Sequence, residues 1–254
     1  MEGDGGVIEF QNVTFVYPDS ADGSLKNINL TIPDGQCVLL CGRSGCGKTT
    51  LTRLINGLIP QLFAGELSGN VLLDGENIFD LPMYRIAEKV GSVFQNPRTQ
   101  FFNVDTDSEI AFGTENEAIP QERLKRRTAE TAKALHIENL LGRNIFALSG
   151  GEKQRISIAR AMMKDAPIII LDEATANVDP ENEKELMEAI SELTREKTVI
   201  MIAHRLKTVH HADQIIVVDK GQIAQRGTHE KLLRQDGIYR RFITGREQAA
   251  GWKL

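Results

Sequence analysis

An apolar residue stands at every second position in two early segments of the chain, 8–17 and 28–32. In the first segment the alternating apolar positions are even-numbered up to Phe10 and odd-numbered from Val13 onward. This shift predicts a β-bulge or a turn between these two residues. The second segment ends at Pro33-Asp34-Gly35, a sequence typical of turns. The two segments therefore predict antiparallel strands.

Continuous apolar runs replace the alternation further along the chain, at 37–40, 168–171 and 199–202. Strands buried on both faces have this pattern, because helices cover both sides of a parallel sheet. We therefore expect these runs to form the central strands of a mostly parallel sheet.

Three further segments complete the expected topology. Apolar residues recur at helical spacing within 181–196, which predicts an amphipathic crossover helix; they are Leu186, Ile190 and Leu193. Asp219-Lys220-Gly221-Gln222 joins two apolar arms and predicts a closing hairpin. The stretch 95–164 is mostly helical in pattern. The sequence thus predicts one α/β domain over 1–254, with an N-terminal antiparallel β subdomain and a helical subdomain inserted at about 96–165.

Composition and charge narrow the class of protein. The 254 residues are 41% hydrophobic and 26% charged, which excludes disordered and fibrous chains. The net charge of −5 gives no global positive field to attract nucleic acid, so we expect no nucleic-acid partner. No apolar run approaches the roughly 20 residues of a membrane span. We expect no secretory signal in the acidic, glycine-rich segment 1–6, which has no apolar stretch. We expect a cytoplasmic protein with three reduced cysteines.

The strongest chemical signal lies directly after the first apolar run. It fits G-x-x-x-x-G-K-[ST] and precedes a helical pattern, which is the context of a phosphate-binding loop in a P-loop NTPase core. Backbone N–H groups and the helix N-terminus would bind phosphates, Lys48 would reach the β- and γ-phosphates, and Thr49 would contact Mg²⁺. A glycine-rich turn with a chance Lys-Thr pair is the alternative. The predicted nucleotide-binding residues are Gly42, Arg43, Ser44, Gly45, Cys46, Gly47, Lys48, Thr49 and Thr50.

Two carboxylates follow the apolar run at 168–171. Asp172 and Glu173 would stand at the carboxyl edge of the parallel sheet, where ligands bind. Asp172 would hold Mg²⁺, directly or through water, and Glu173 would act as the general base. The alternative, two solvated acids at a strand end, is weaker beside a phosphate loop because unpaired acids repel a triphosphate.

A second glycine-rich sequence, Leu148-Ser149-Gly150-Gly151-Glu152, runs into a helical pattern. Ser149 can cap that helix, and the glycines expose its N–H groups, so the segment predicts a second anion site. By itself the sequence would also suit an ordinary helix cap.

These motifs and their order resemble the nucleotide-binding subunit of an ATP-binding cassette (ABC) transporter, from about Ile8 to the end of the chain. LSGGE is the signature sequence of that family. The resemblance implies ATP and Mg²⁺, with Gln95 contacting the metal and the water, Asp179 coupling two sites, His204 contacting the γ-phosphate, and Tyr17 stacking on adenine. Taken singly, Gln95 would suit a loop amide, His204 a core or strand-end histidine, and Tyr17 a packing aromatic.

The resemblance also implies a pair of cassettes. Each ATP would lie between one chain's catalytic residues, Glu173, His204, Gln95 and Lys48, and the other chain's signature residues, 149–152. Thr49, Gln95 and Asp172 would hold Mg²⁺. The implied partners are a second ABC ATPase subunit, identical or paralogous, and integral membrane subunits on the cytoplasmic face of the membrane.

Two parts of the chain resemble different branches of the family. Segments 94–102 and 109–113 resemble ATPases of energy-coupling-factor importers for vitamins or metal ions, and favour an importer. Segments 203–206, 212–215, 226–230 and 246–252 resemble exporter ATPase domains. The loop at 176–179 departs from the commoner serine-alanine-leucine-aspartate form. A soluble ABC ATPase and a nucleotide-binding regulator without turnover are further alternatives.

Overall fold

The computed structural model describes residues 8–18, 24–96, 100–114, 119–172, 174, 180–202 and 212–251. The strands are β1 (Ile8–Val16), β2 (Leu25–Ile32), β3 (Cys37–Cys41), β4 (Glu66–Leu73), β5 (Glu76–Asn77), β6 (Val90–Val93), β7 (Ile168–Asp172), β8 (Thr198–Ile202), β9 (Gln214–Asp219) and β10 (Gln222–Gly227). The helices are α1 (Lys48–Ile55), α2 (Leu58–Gln61), α3 (Met83–Lys89), α4 (Thr106–Ala111), α5 (Gln121–Ala134), α6 (Gly150–Lys164), α7 (Pro180–Leu193), α8 (His229–Arg234) and α9 (Ile238–Gly251).

The smaller sheet has the order β2-β1-β4-β5, and its strands are antiparallel. The register of β1 against β2 shifts between Phe10 and Val13. Asn12 takes a positive φ of 53° there, which lets residues on both sides of the bulge face the core. The predicted antiparallel strands and the predicted bulge are therefore confirmed.

The larger sheet has the order β10-β9-β3-β8-β7-β6. The five strands from β9 to β6 are parallel, and β10 pairs antiparallel with β9 through the predicted hairpin. Along β7, Ile168 and Ile170 enter one apolar cluster, whereas Ile169 and Leu171 enter another on the opposite face. Burial on both faces is the reason for the continuous apolar runs.

The crossover helix α7 ends at Leu193, three residues before the predicted boundary. Leu186, Ile190 and Leu193 are buried, as their spacing predicted. The predicted crossover helix is confirmed, with its apolar stripe against the sheet.

Helices α4, α5 and α6 lie between β6 and β7 and interrupt the alternation of strand and helix. The predicted α/β class, with an antiparallel N-terminal sheet and an inserted helical part, is confirmed. The boundaries of the helical subdomain, 96–165, stay a prediction. Within the described ranges, no helix has the length and apolar character that a bilayer span requires.

Candidate functional site

The loop between β3 and α1 folds around the ammonium group of Lys48. Lys48 Nζ donates to the carbonyl oxygens of Gly42 and Arg43, at 3.0 and 2.8 Å. Cys46 Sγ lies 3.7 Å from the same nitrogen. These contacts hold a buried cation at the start of a helix, where the helix dipole also favours an anion.

Two glycines of this loop leave no room for a side chain. A Cβ at Gly42, where φ is 146°, would lie 2.2 Å from the carbonyl oxygen of Val218. At Gly47, where φ is 112°, it would lie 2.7 Å from the carbonyl oxygen of Ser24. Glycine is required at both positions by backbone conformation and by close approach.

A cavity of about 250 Å³ opens beside the loop. Within the described part of the chain, it is lined by Tyr17, Ser24, Ser44, Gly45, Gly47, Lys48, Thr49 and Thr50. Gly42 and Arg43 instead line a second cavity, of about 460 Å³, next to Tyr239 and Phe242. Cys46 is packed in the apolar core. The structure therefore brings most of the predicted phosphate loop together with Tyr17 around one space.

The carboxyl edge of the larger sheet brings two more predicted residues to the same side of the molecule. Asp172 is the last residue of β7, and Gln95 follows β6 by two residues. One strand, β8, separates β7 from β3, whose end leads into the phosphate loop. At a strand spacing of about 4.8 Å, the ends of β3 and β7 lie about 10 Å apart. Thr49 at the start of α1, Asp172 and Gln95 carry a hydroxyl, a carboxylate and an amide oxygen, which are hard donors of the kind Mg²⁺ prefers.

The predicted second anion site is the capped N-terminus of α6. Ser149 Oγ accepts from Glu152 N at 3.3 Å, and Glu152 Oε2 accepts from Ser149 N at 2.7 Å, so both halves of a capping box are present. The hydrogen bond from Ser149 N lowers the pKa of the Glu152 carboxyl. Gly150, at the start of the helix, is exposed, and as a glycine it has no side chain to cover its N–H.

Helix α6 also holds the chain on both sides of Gln95, which sequence analysis did not detect. Gln154 Nε2 donates to the carbonyl oxygen of Phe94 at 3.3 Å. Arg160 Nη1 donates to the carbonyl oxygen of Gln100 at 2.7 Å. Both contacts span 60 residues of sequence, so no local pattern indicates them.

Arg53 is another residue that sequence analysis did not detect. Its Nη1 donates to the hydroxyl oxygen of Tyr17 at 3.0 Å. Three other predicted site residues, Glu173, Asp179 and His204, lie outside the described residues.

The family model for the ABC transporter matches residues 25–176, which include the phosphate loop, the signature sequence and Asp172. The chain belongs to the ABC transporter family. This confirms the resemblance drawn from the motifs and identifies the large sheet as the core of a P-loop NTPase.

Similarity to proteins of known name is consistent with membership of this family. A Treponema denticola protein named as an ABC transporter ATP-binding protein is 48% identical over 220 residues, 86% of this chain and 45% of its own length. The ATP-dependent lipid A-core flippase of Salmonella typhimurium is 40% identical over 240 residues, 92% of this chain and 40% of its own length. A solved bacterial Atm1-family ABC exporter with ATP bound has a TM-score of 0.81 and 29% identity, over 97% of this chain and 42% of that one.

The chain spans less than half the length of these relatives. Its identity is that of an ABC transporter ATPase domain. The predicted ABC ATPase domain is the class that the family supports.

Proposed function

We propose that this chain is the ATP-hydrolysing domain of an exporter-type ABC transporter, working as a pair of cassettes closed around two ATP molecules. One observation supports the proposed pairing of two cassettes. Among the described residues, the cavity at the phosphate loop is lined by Tyr17 just after β1, by Ser24 just before β2, by the loop and by α1, and by no residue of the signature helix α6. The signature segment is capped for anion binding, but it does not line the phosphate-loop cavity of its own chain. It can contact a bound nucleotide if it faces the cavity of a second cassette.

Within one cassette, the loop and Lys48 bind the phosphates of ATP. The ammonium group already lies against the carbonyls of the loop and is largely dehydrated, which strengthens its attraction for the β- and γ-phosphates. Glu173 takes the proton of the attacking water as general base, and His204 and Gln95 orient the γ-phosphate and that water. Thr49, Asp172 and Gln95 would hold Mg²⁺, which neutralises phosphate charge when bound.

Across the pair, Ser149, Gly150 and Gly151 of one chain face the γ-phosphate bound by the other, and Glu152 fixes their helix through the capping box. We assign to Asp179 the coupling of the two sites that the family resemblance implies. A symmetric arrangement of this kind is isologous, so each cassette completes its partner's site.

A groove between the core and the helical part offers a docking surface for a membrane subunit. Its cavity is about 520 Å³, and its lining includes Leu62, Phe102, Phe112 and Arg160. Phe102 and Phe112 stack at 5.0 Å between ring centroids, and Phe102 is 74% exposed. An exposed apolar groove of this kind suits a helix from a partner on the cytoplasmic face of the membrane.

The exporter branch is favoured over the importer suggested by segments 94–102 and 109–113. The lipid A-core flippase matches over 92% of the chain, and the Atm1-family exporter covers 97% of it. An energy-coupling-factor importer of vitamins or metal ions stays the second candidate, because the docking groove is built from the importer-like segment around Phe102 and Phe112.

Two experiments test this proposal. We expect Mg²⁺-dependent release of phosphate from ATP that is lost in Lys48→Ala; equal turnover in both proteins would contradict the assigned site. Affinity purification from detergent-solubilised host membranes, with mass spectrometry of what stays bound, tests the branch. A large membrane domain with six helices supports the exporter, a small helical coupling subunit supports the importer, and soluble proteins alone would contradict transport.

A further inference from the structure

Tyr17, the residue that follows β1, lines the nucleotide cavity, and a residue on the helix of the phosphate loop holds its side chain. Arg53 Nη1 donates to the hydroxyl oxygen of Tyr17 at 3.0 Å, across 36 residues of sequence. Tyr17 lines the cavity beside Lys48 and Thr49. The hydrogen bond therefore acts on a ring that faces the space assigned to the nucleotide.

Both partners of this hydrogen bond are fixed by aromatic contacts. The guanidinium carbon of Arg53 lies 4.1 Å from the centroid of the Phe63 ring, a cation–π distance. The Tyr17 ring meets Phe15 edge-on, with centroids 4.7 Å apart and an angle of 87° between the planes. Phe15 is fully buried, so it is a firm support for the ring.

We propose that Arg53 is a positioning residue for the nucleotide base, holding the Tyr17 ring in the orientation that stacks on adenine. The proposal rests on the function proposed above, in which the cavity binds ATP. Arg53 and Lys48 lie on the same helix, five residues and about 7.5 Å apart along its axis. One rigid element thus fixes both the phosphate contacts and the anchor of the base contact.

The anchor lowers the entropy that the ring loses when a base binds. Ordering a free side chain on binding costs about 0.5–1.5 kcal/mol, so removing the anchor weakens ATP binding by about two- to thirteenfold. A ligand without a base makes no use of the ring. Arg53 therefore affects the affinity for ATP and leaves the affinity for inorganic tripolyphosphate unchanged.

Isothermal titration with ATP and with tripolyphosphate, both with Mg²⁺, tests this assignment. Arg53→Met keeps an apolar side chain against Phe63 and removes the donor, whereas Tyr17→Phe keeps the ring and removes the acceptor. We expect each variant to weaken ATP binding by about two- to thirteenfold, the double variant to add nothing further, and tripolyphosphate binding to be unchanged throughout. Arg85→Met, at an exposed arginine of α3, is the control for loss of one positive charge.

Unchanged ATP affinity in Arg53→Met would overturn the proposal, and so would an equal loss for both ligands or additive effects of the two substitutions. Failure of the proposed function gives a different result. In that case the wild-type protein binds neither ligand, or Lys48→Ala leaves both affinities unchanged.

Discussion

Arg160 on the signature helix α6 and Glu109 on α4 form an ion pair with 2.6 Å between Nη1 and Oε1, and the carboxylate is completely buried. Glu109 Oε2 also accepts from the backbone N–H groups of Phe102 and Asn103, at 3.0 Å each. The pair therefore joins the signature helix, α4 and the segment that carries the docking groove.

Arg160→Met tests the contribution of this pair to stability. Removing the cation leaves a buried carboxylate with hydrogen bonds but no counter-charge, and breaking a buried pair costs about 3–5 kcal/mol. We expect urea unfolding to show a loss of that size. Arg126→Met is the matched control, because Arg126 pairs with Glu130 on an exposed helix face. An equal effect of the two substitutions would contradict the structural role of the pair.

Glu152 makes stability depend on pH in a predictable direction. Its pKa is lowered in the folded protein, so its contribution is complete above the unfolded pKa of about 4.5 and is lost as the pH falls through the folded value. We expect the difference in unfolding free energy between wild type and Glu152→Gln to be constant near neutral pH and to shrink in acid. A difference that grows in acid would show that the charge of Glu152 does not stabilise the cap.

Lys48→Ala removes the charged donor at the centre of the phosphate loop. Charge-assisted hydrogen bonds contribute about 1.5–3 kcal/mol each, so we expect ATP affinity to fall at least about tenfold in a calorimetric titration. Lys184→Ala, at an exposed lysine of α7, serves as the control. Equal affinities in the two variants would place the phosphate site elsewhere.

Phe102→Asp tests the docking groove. A charge in the middle of an apolar contact opposes association, whereas Phe102 is too exposed to matter for the fold. We expect less of this variant to co-purify with host membranes, with its ATP affinity unchanged. Tyr84→Asp alters another exposed aromatic residue, 66% exposed and outside the groove lining. If both variants stay with the membranes equally well, the groove is not the docking surface.

Most of the fold could be predicted from the sequence, because the spacing of apolar residues follows from the geometry of each strand or helix and from which of its faces are buried. Alternation gave β1 and β2, apolar runs gave the parallel strands, and the phosphate loop is contiguous in sequence, so its geometry follows from its own glycines. The contacts of Arg53 with Tyr17 and of Arg160 with Glu109 join residues 36 and 51 positions apart. Such contacts depend on how the elements pack, and no periodicity or motif indicates them.

The most direct test of the paired mechanism is light scattering on Glu173→Gln with saturating ATP. Without its general base, the domain binds ATP but turns it over about 10²–10⁴ times more slowly, so the closed pair persists. We expect a particle of twice the 28.2 kDa chain mass with ATP and a single chain without it. A variant that binds ATP and remains a single chain would contradict the paired mechanism.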